Sequence, residues 1–139
     1  PENEFFKTLS TVRRVLEPEL AYIAASTATE EDIARIKKAY AGMEQAESIE
    51  EFIQPDIDFH LSIAKATHND LLAYMSKMLV LPLQQSIQVT SLRPNLQNHS
   101  LPRHKAILTA IENKDPLSAR HASLVQLEDT KMAYDLIKK

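Results

Sequence analysis

The 139-residue sequence predicts one all-α domain, a compact antiparallel bundle of about six helices. Apolar residues recur at steps of three or four along most of the chain, which is the period of a helix with one buried face. Glycine occurs only once, at Gly42, whereas sheets with tight hairpins usually need more of it. The joints between the periodic stretches are short, which is typical of antiparallel neighbours in a bundle.

The first predicted helix runs from about Glu2 to Ala25, and the next two begin at recognisable caps. Pro18 is expected to kink or interrupt the first helix, whose buried stripe is predicted to comprise Phe5, Phe6, Leu9, Val12, Leu16, Leu20 and Ile23. Thr29 is expected to cap the second helix, because three acidic residues that suit the helix dipole follow it. Ser48-Ile-Glu-Glu51 is a capping box that opens the third helix, which continues to about Thr67.

The second half of the chain is divided by Asn, Asp and Pro residues. Asn69-Asp70 can cap an apolar fourth helix, in which Pro82 should cause a bend. Asp115-Pro116 places an N-cap before a proline, which is a strong signal for a helix start. The predicted segments are a fourth helix from Leu71 to about Thr90, an irregular segment between Pro94 and Pro102, a fifth helix from about Leu101 to Asn113, and a last helix to the C-terminus.

Composition excludes several classes of function. A net charge of −3 argues against a nucleic-acid-binding surface on this chain. The absence of Cys excludes disulfides and thiolate metal sites. No apolar stretch reaches the ~18 residues of a membrane helix, and no signal peptide opens the chain. We expect a cytoplasmic domain without a membrane partner and, because the first residue is Pro1, a fragment or processed piece.

The most informative polar residues are Asp56 and His60, four positions apart on a predicted helix. Four residues turn about 400°, so the two side chains lie within about 40° on one otherwise apolar face. An inward Asp–His pair could hold a divalent metal, although such a pair is more often a surface hydrogen bond or a satisfied core histidine. A remote alternative is a metal-dependent hydrolase with Asp58 as base, but Asp58 is about 200° from both partners and faces away.

His104 is the second candidate ligand, near the start of the fifth predicted helix. Apolar residues continue the face below it, which favours an inward ring, and the alternative is an exposed His at a helix start. Three motifs then occur in order over nearly the whole chain: Arg13-x-x-Leu-Glu-Pro18, Asp56-x-x-Phe-His60 followed by Asn69-x-Leu-Leu72, and Ser100-x-x-x-His104-x-x-Ile-x-x-Ala-Ile111. Together they resemble the FadR C-terminal (FCD) effector-binding domain of GntR-family transcription regulators.

The resemblance implies a bundle that encloses a central polar cavity, with residues 1–139 forming the sensor domain. In many members an Asp and three His bind a metal there, and the metal helps to hold a small carboxylate effector. Asp56, His60 and His104 match the first three ligand positions, whereas Gln126 occupies the fourth. A Gln amide is a weaker ligand for transition metals than imidazole. The nearby His121 does not obviously replace Gln126 as a ligand, because the two side chains point roughly 140° apart around the helix.

Gln126 therefore leaves three alternatives open: a weakened metal site, a site selective for another metal, or a metal-free pocket. Zinc or nickel is the ion that we expect. Arg13 matches an inward basic position and would bind the effector carboxylate through two hydrogen bonds; its alternative is a surface salt bridge with Glu17. Asn69 and Ser100 are the other expected effector-binding residues, and Arg93 could reach the cavity from its loop.

By this resemblance the chain is the effector-binding and dimerisation domain of a transcription regulator and not an enzyme. A homodimer is expected, and DNA would be contacted only through a winged helix-turn-helix domain that this chain does not contain. The alternative within the family is a metal-free sensor with a more apolar cavity for a larger acyl ligand such as acyl-CoA. A plain helical interaction module without a ligand is the remaining possibility.

Overall fold

The computed structural model describes the backbone of residues 2–90 and 96–138 and the side chains of residues 4–89 and 98–135. All of the regular structure in this part of the chain is helical, which confirms the predicted all-α class. No helix within it combines the length and the apolarity that crossing a bilayer requires. The helices are α1 (Glu2–Thr27), α2 (Glu30–Gln45), α3 (Ile49–Lys65), α4 (Asp70–Met78), α5 (Val80–Thr90), α6 (Leu96–Glu112) and α7 (Pro116–Lys138).

The bundle is built from three extensive helix pairs. α1 packs along α7, α2 along α3 and α6 along α7. Gly42 allows the α2–α3 approach, because a Cβ there would lie 3.1 Å from two ring atoms of Pro55. The largest fully buried apolar side chains fill the space between the pairs; they are Phe52, Phe59, Ile36, Met43, Ile107, Leu108 and Ile111.

Helix α1 differs from the prediction in its inner face. It runs through Pro18 without interruption and ends at Thr27, since buried residues on both sides of the proline hold it in the core. Val12, which the apolar stripe placed inside, is 41% exposed, whereas Arg13 and Glu17 are buried. The helix is therefore turned so that two charged side chains face the interior.

The predicted fourth helix is two helices, and the break precedes Pro82. Leu79 separates α4 from α5, and Pro82 lies in the first turn of α5, where a missing N–H costs little. α6 begins at Leu96 and contains Pro102, so the predicted start at Leu101 is wrong by about one helical turn. The preceding part of the predicted irregular segment lies outside the described residues.

Side chains cap α2 and α3, but only one of the two capping boxes is complete. The Thr29 hydroxyl accepts a bond from the Asp32 backbone N–H (3.2 Å), and the Asp32 carboxylate accepts one from the Thr29 N–H (2.8 Å). At α3 the Ser48 hydroxyl accepts from the Glu51 N–H (3.2 Å), whereas the Glu51 carboxylate accepts from the Glu47 N–H (2.9 Å). The predicted box at Ser48 is thus half formed.

The buried carboxylate of Asp32 also ties α2 to the joint after α3. It accepts hydrogen bonds from Arg35 and from Nε2 of His68, the latter at 2.6 Å. His68 adopts a left-handed backbone conformation with φ of 53° at that joint. Burial opposes ionisation of Asp32, but the hydrogen bonds from Thr29 and His68 outweigh it and lower its pKa to about 2.

We expect Asp32→Asn to destabilise the fold by about 1–2 kcal/mol at neutral pH, because the hydrogen bonds from Arg35 and His68 lose their buried charged acceptor. The folded pKa of about 2 lies below the ordinary 3.8. The stabilisation is therefore present above pH 3.8 and is lost as the pH falls towards 2. Urea unfolding at several pH values measures it, with the exposed Asp58→Asn as the control. Equal stability of Asp32→Asn and the parent chain at neutral pH would contradict the assignment.

Candidate metal centre

Helices α3 and α6 bring Asp56, His60 and His104 together in the interior. Oδ1 of Asp56 lies 3.2 Å from Nε2 of His60 and 3.0 Å from Nε2 of His104. All three side chains are buried, and one ligand atom from each lies within 4.8 Å of the other two. The i,i+4 spacing on α3 places two of these groups side by side, and α6 supplies the third. We call this group the Asp–His cluster.

Aromatic packing fixes the two imidazole rings. Phe59 is fully buried, and its ring makes edge-to-face contacts with His60 and His104 at centroid distances of 5.7 and 5.0 Å. The two imidazole rings are themselves 5.4 Å apart. Side chains locked by such packing present their nitrogen atoms in one orientation, as a binding site requires.

The far nitrogen of each imidazole is also hydrogen-bonded. Nδ1 of His60 lies 3.1 Å from Oε1 of Glu17, and Nδ1 of His104 lies 2.9 Å from the Ser100 carbonyl oxygen and 3.1 Å from its hydroxyl. Histidine ligands in metal sites usually donate their second N–H to a carboxylate or a backbone carbonyl in this way. Glu17 and Ser100 therefore orient the two rings so that each Nε2 faces Asp56.

This arrangement requires a positive charge on or beside the imidazoles. When a neutral imidazole donates from Nδ1, its Nε2 is an acceptor and has no hydrogen to give to a carboxylate. His60 bonds two carboxylates at once, so it must carry a second proton or face a positive ion. Burial disfavours a second proton, but Glu17 and Asp56 outweigh it and raise the pKa of His60 to about 9.

A second buried ion pair adjoins the cluster. The Arg13 guanidinium donates from Nε to Oε2 of Glu17 and from Nη2 to Oε1, the latter at 3.2 Å. Burial opposes ionisation of Glu17, yet the charges of Arg13 and His60 lower its pKa to about 2. Arg13 is thus turned inward and paired with Glu17, although sequence reasoning treated these outcomes as alternatives. With Asp56 and Glu17 ionised and Arg13 charged, the site is negative before its histidines are counted.

Gln126 on α7 lines the same small cavity as the Asp–His cluster. Its Nε2 donates to the Thr130 hydroxyl at 3.0 Å, whereas its buried Oε1 has no hydrogen-bond partner among the described residues. The cavity has a volume of about 30 Å³, which is enough for one water molecule or one ion. Together, this unpaired Gln126 oxygen, the two imidazoles and the Asp56 carboxylate form a set of metal ligands that fits a divalent cation.

A larger cavity of about 530 Å³ adjoins the small one between α1, α5 and α7. Arg13, Ser86 and Thr130 line both cavities. Much of the remaining wall is formed by the side chains of Phe6, Leu9, Leu127 and Tyr134. The other charged side chains that line the cavity are Lys7, Lys131 and Asp135. Two lysines face one carboxylate, and Arg13, although paired with Glu17, adds further N–H donors to the wall, so the large cavity suits an anionic ligand.

The other predicted residues lie in different places. Ser100 lines the small cavity. Asn69 is exposed, and its side-chain oxygen caps α4 by accepting from the Leu72 N–H at 3.1 Å. Asn69 is not among the described residues that line either cavity. Helix α3 ends at Lys65, and the chain has left the interior by the time it reaches Asn69. His121 is exposed, as its helical position predicts, and Arg93 lies outside the described residues.

Sequence reasoning missed the connection between Glu17 and His60. It considered Glu17 only as a surface partner of Arg13, because an Arg–Glu pair at i,i+4 is common on exposed helix faces. Glu17 adjoins Pro18, which is itself buried, but no local pattern in the sequence indicates a contact with His60. It also missed Ser86 and Thr130, whose sequence surroundings carry no motif.

Comparison with known proteins supports a common origin for the whole domain. The family model described as the FCD domain matches residues 8–129. The galactonate operon transcriptional repressor of Escherichia coli (strain K12) is 29% identical over 133 residues, covering 91% of this chain and 58% of that protein. The Uxu operon transcriptional regulator of the same organism is 36% identical over 138 residues, covering 88% and 51%. The chain thus spans about half the length of these relatives.

Two solved structures share the fold. Streptococcus agalactiae GntR superposes with a TM-score of 0.81 at 22% identity, over 95% of this chain and 60% of that one. E. coli McbR/YncC superposes with a TM-score of 0.78 at 19% identity, over 96% and 67%. Because the FCD domain model matches most of the sequence, the chain belongs to the FCD domain family of GntR-type transcription regulators.

Proposed function

We propose that this chain is the effector-binding and dimerisation domain of a GntR-type regulator, and that it senses a small organic acid beside a bound divalent metal. The observation that carries the proposal is the buried Asp–His cluster, in which two imidazoles and a carboxylate place three potential ligand atoms within 4.8 Å of one another. Relatives named as operon and regulon regulators support the regulatory role.

Asp56, His60 and His104 would hold the metal, with the orphan oxygen of Gln126 or a water molecule as a further ligand. Zinc or nickel suits the two imidazoles. When bound, the ion supplies a concentrated positive charge that attracts a ligand carboxylate. Glu17 and Ser100 hold the ligand rings in place, and Arg13 keeps the Glu17 carboxylate ionised next to them.

The effector would occupy the large cavity. The small cavity has room for one ion, whereas about 530 Å³ lies within the range of small-molecule sites, roughly 300–1,000 Å³. A guanidinium has five N–H donors, so Arg13 can keep Glu17 and still donate to a carboxylate from the shared wall. The name of one relative contains galactonate, a polyhydroxylated carboxylate, and the hydroxyls of Ser86 and Thr130 suit that class.

A metal-free sensor of a larger acyl ligand such as acyl-CoA is the second candidate. The apolar section of the large cavity favours it, with Phe6, Leu9, Leu127 and Tyr134 on the walls. A catalytic role has less support, because Asp58 is exposed and accepts from Gln54 at 2.8 Å instead of facing the cluster.

In the complete regulator we propose a cytoplasmic homodimer that contacts DNA through a separate winged helix-turn-helix domain. A DNA operator with two half-sites is bound by two copies of the DNA-binding domain, one for each half-site. Effector binding would then change the relative population of two dimer arrangements, to the extent that the effector binds one of them more tightly.

Thermal melting tests the metal proposal. We expect zinc or nickel to raise the melting midpoint of chelator-stripped protein, since binding at 100 times Kd adds about 2.7 kcal/mol of stability. His60→Ala should abolish the rise, and His121→Ala, which changes an exposed histidine on α7, should preserve it. No shift with zinc, nickel or manganese would eliminate the metal and favour the metal-free sensor.

Glu17→Gln tests the role of the carboxylate behind His60. We expect metal affinity to fall about 10–100-fold with unchanged stoichiometry, as for other partners of metal-bound histidines. Isothermal titration calorimetry measures both quantities, and urea unfolding separates any loss of stability. Glu19→Gln, on the exposed face of the same helix, is the control. Unchanged affinity in Glu17→Gln would show that Glu17 does not position the ligand.

Calorimetric titration distinguishes the two effector classes. With zinc present we expect a sugar acid such as galactonate to bind and Arg13→Met to weaken it at least about tenfold, because a carboxylate loses a charged, two-pronged partner. Arg14→Met, on the exposed side of α1, should leave binding unchanged. Binding of acyl-CoA to metal-free protein, without binding of small acids, would establish the second candidate instead.

A further inference from the structure

Helix α4 carries a stripe of large apolar side chains in contact with solvent. Leu71 is 68% exposed, Tyr74 63%, Met75 41% and Met78 66%, and Leu81 at the start of α5 is 71% exposed. The four residues on α4 follow one another at helical spacing, which places their side chains on one face of the helix. Half of the exposed large hydrophobic residues of the described chain lie in this short segment. We call these five residues the α4 stripe.

The opposite side of α4 is already used by the fold. Leu72 and, just beyond the helix, Val80 pack against the hydrophobic core, and Ser76 is buried. A helix that is apolar on both sides is normally covered on both. Contiguous exposed apolar surface in a soluble protein marks an interaction site, and Met and Tyr are enriched at protein interfaces.

We propose that the α4 stripe is the surface through which two copies of this chain pair, with the two α4 helices antiparallel about a twofold axis near Tyr74. The inference rests on the homodimer in the proposed function and adds the surface and its geometry. A twofold interface must be self-complementary. The stripe meets this requirement, since inverting it places Leu71 opposite Met78 and Tyr74 opposite Met75.

Two exposed charges favour the antiparallel pairing of identical copies. Asp70 and Lys77 are both exposed and lie seven residues apart, which places them within about 20° on one flank of α4. In an antiparallel pair, equivalent flanks face each other, so Asp70 of each copy meets Lys77 of the other. A parallel twofold pair would place the equivalent flanks on opposite sides of the interface, where Asp70 of one copy does not meet Lys77 of the other.

The same charges argue against a lipid surface as the occupant. An interfacial membrane helix carries several Lys or Arg residues on its polar face. The charged residues of α4 are one aspartate and one lysine, so its net charge is zero. A self-complementary stripe with balanced charges fits a second copy of the chain.

Sedimentation velocity across a wide concentration range tests the surface. We expect the parent chain to dimerise and Met78→Asp to weaken the dimer at least about tenfold, because a charge enters a buried apolar contact. Leu117→Asp is the matched control, since Leu117 is 68% exposed on α7 and should not affect the dimer. Circular dichroism verifies that both variants remain folded. A dimer that Met78→Asp does not weaken would overturn the α4 surface alone.

Charge exchange tests the antiparallel geometry. Asp70→Lys alone places four lysines at the interface, and Lys77→Asp alone places four aspartates there, so each variant should dimerise poorly. An equimolar mixture should restore the dimer, because every lysine then meets an aspartate. A mixture that stays monomeric while the parent chain dimerises would overturn the geometry. A parent chain that stays monomeric throughout would overturn both this surface and the homodimer, while the metal titration tests the sensor function independently.

Discussion

The carboxylate of Asp56 organises the interior of this bundle, because it is the point on which two buried imidazoles from different helices converge. Burying a carboxylate without partners would cost several kcal/mol, so His60 and His104 must face it. Their other nitrogens then need acceptors as well, and Glu17 and the Ser100 backbone supply them. A chain of polar contacts thus extends from α6 through α3 to α1.

That chain explains the orientation of α1. Apolar periodicity alone would turn Val12 inward, yet the helix presents Arg13 and Glu17 to the interior and leaves Val12 partly exposed. Burying the Arg13–Glu17 pair costs desolvation free energy. The Glu17 carboxylate also accepts a hydrogen bond from Nδ1 of His60, which links the pair to the Asp–His cluster. The Asp–His cluster is therefore connected by a hydrogen bond to α1, which packs along α7.

Local signals in the sequence predicted the helices and most of their caps, because hydrophobic period and capping depend on neighbouring residues. They failed where distant packing decides: the sequence alone did not show that α4 would end before Pro82 or that α6 would begin ahead of Pro102. At the site, the spacing of Asp56 and His60 placed both on one face. The contact between His60 and Glu17 joins residues on different helices, and no local pattern encodes it.

The proposed sensor mechanism needs a cation at the Asp–His cluster, and a crystal structure of zinc-loaded protein tests this most directly. Diffraction data collected above and below the zinc absorption edge locate the metal without reference to activity. We expect an anomalous peak within ligand distance of Asp56, His60 and His104, close to Oε1 of Gln126. A fully loaded crystal without a peak there, with both imidazoles still hydrogen-bonded to Asp56, would contradict it.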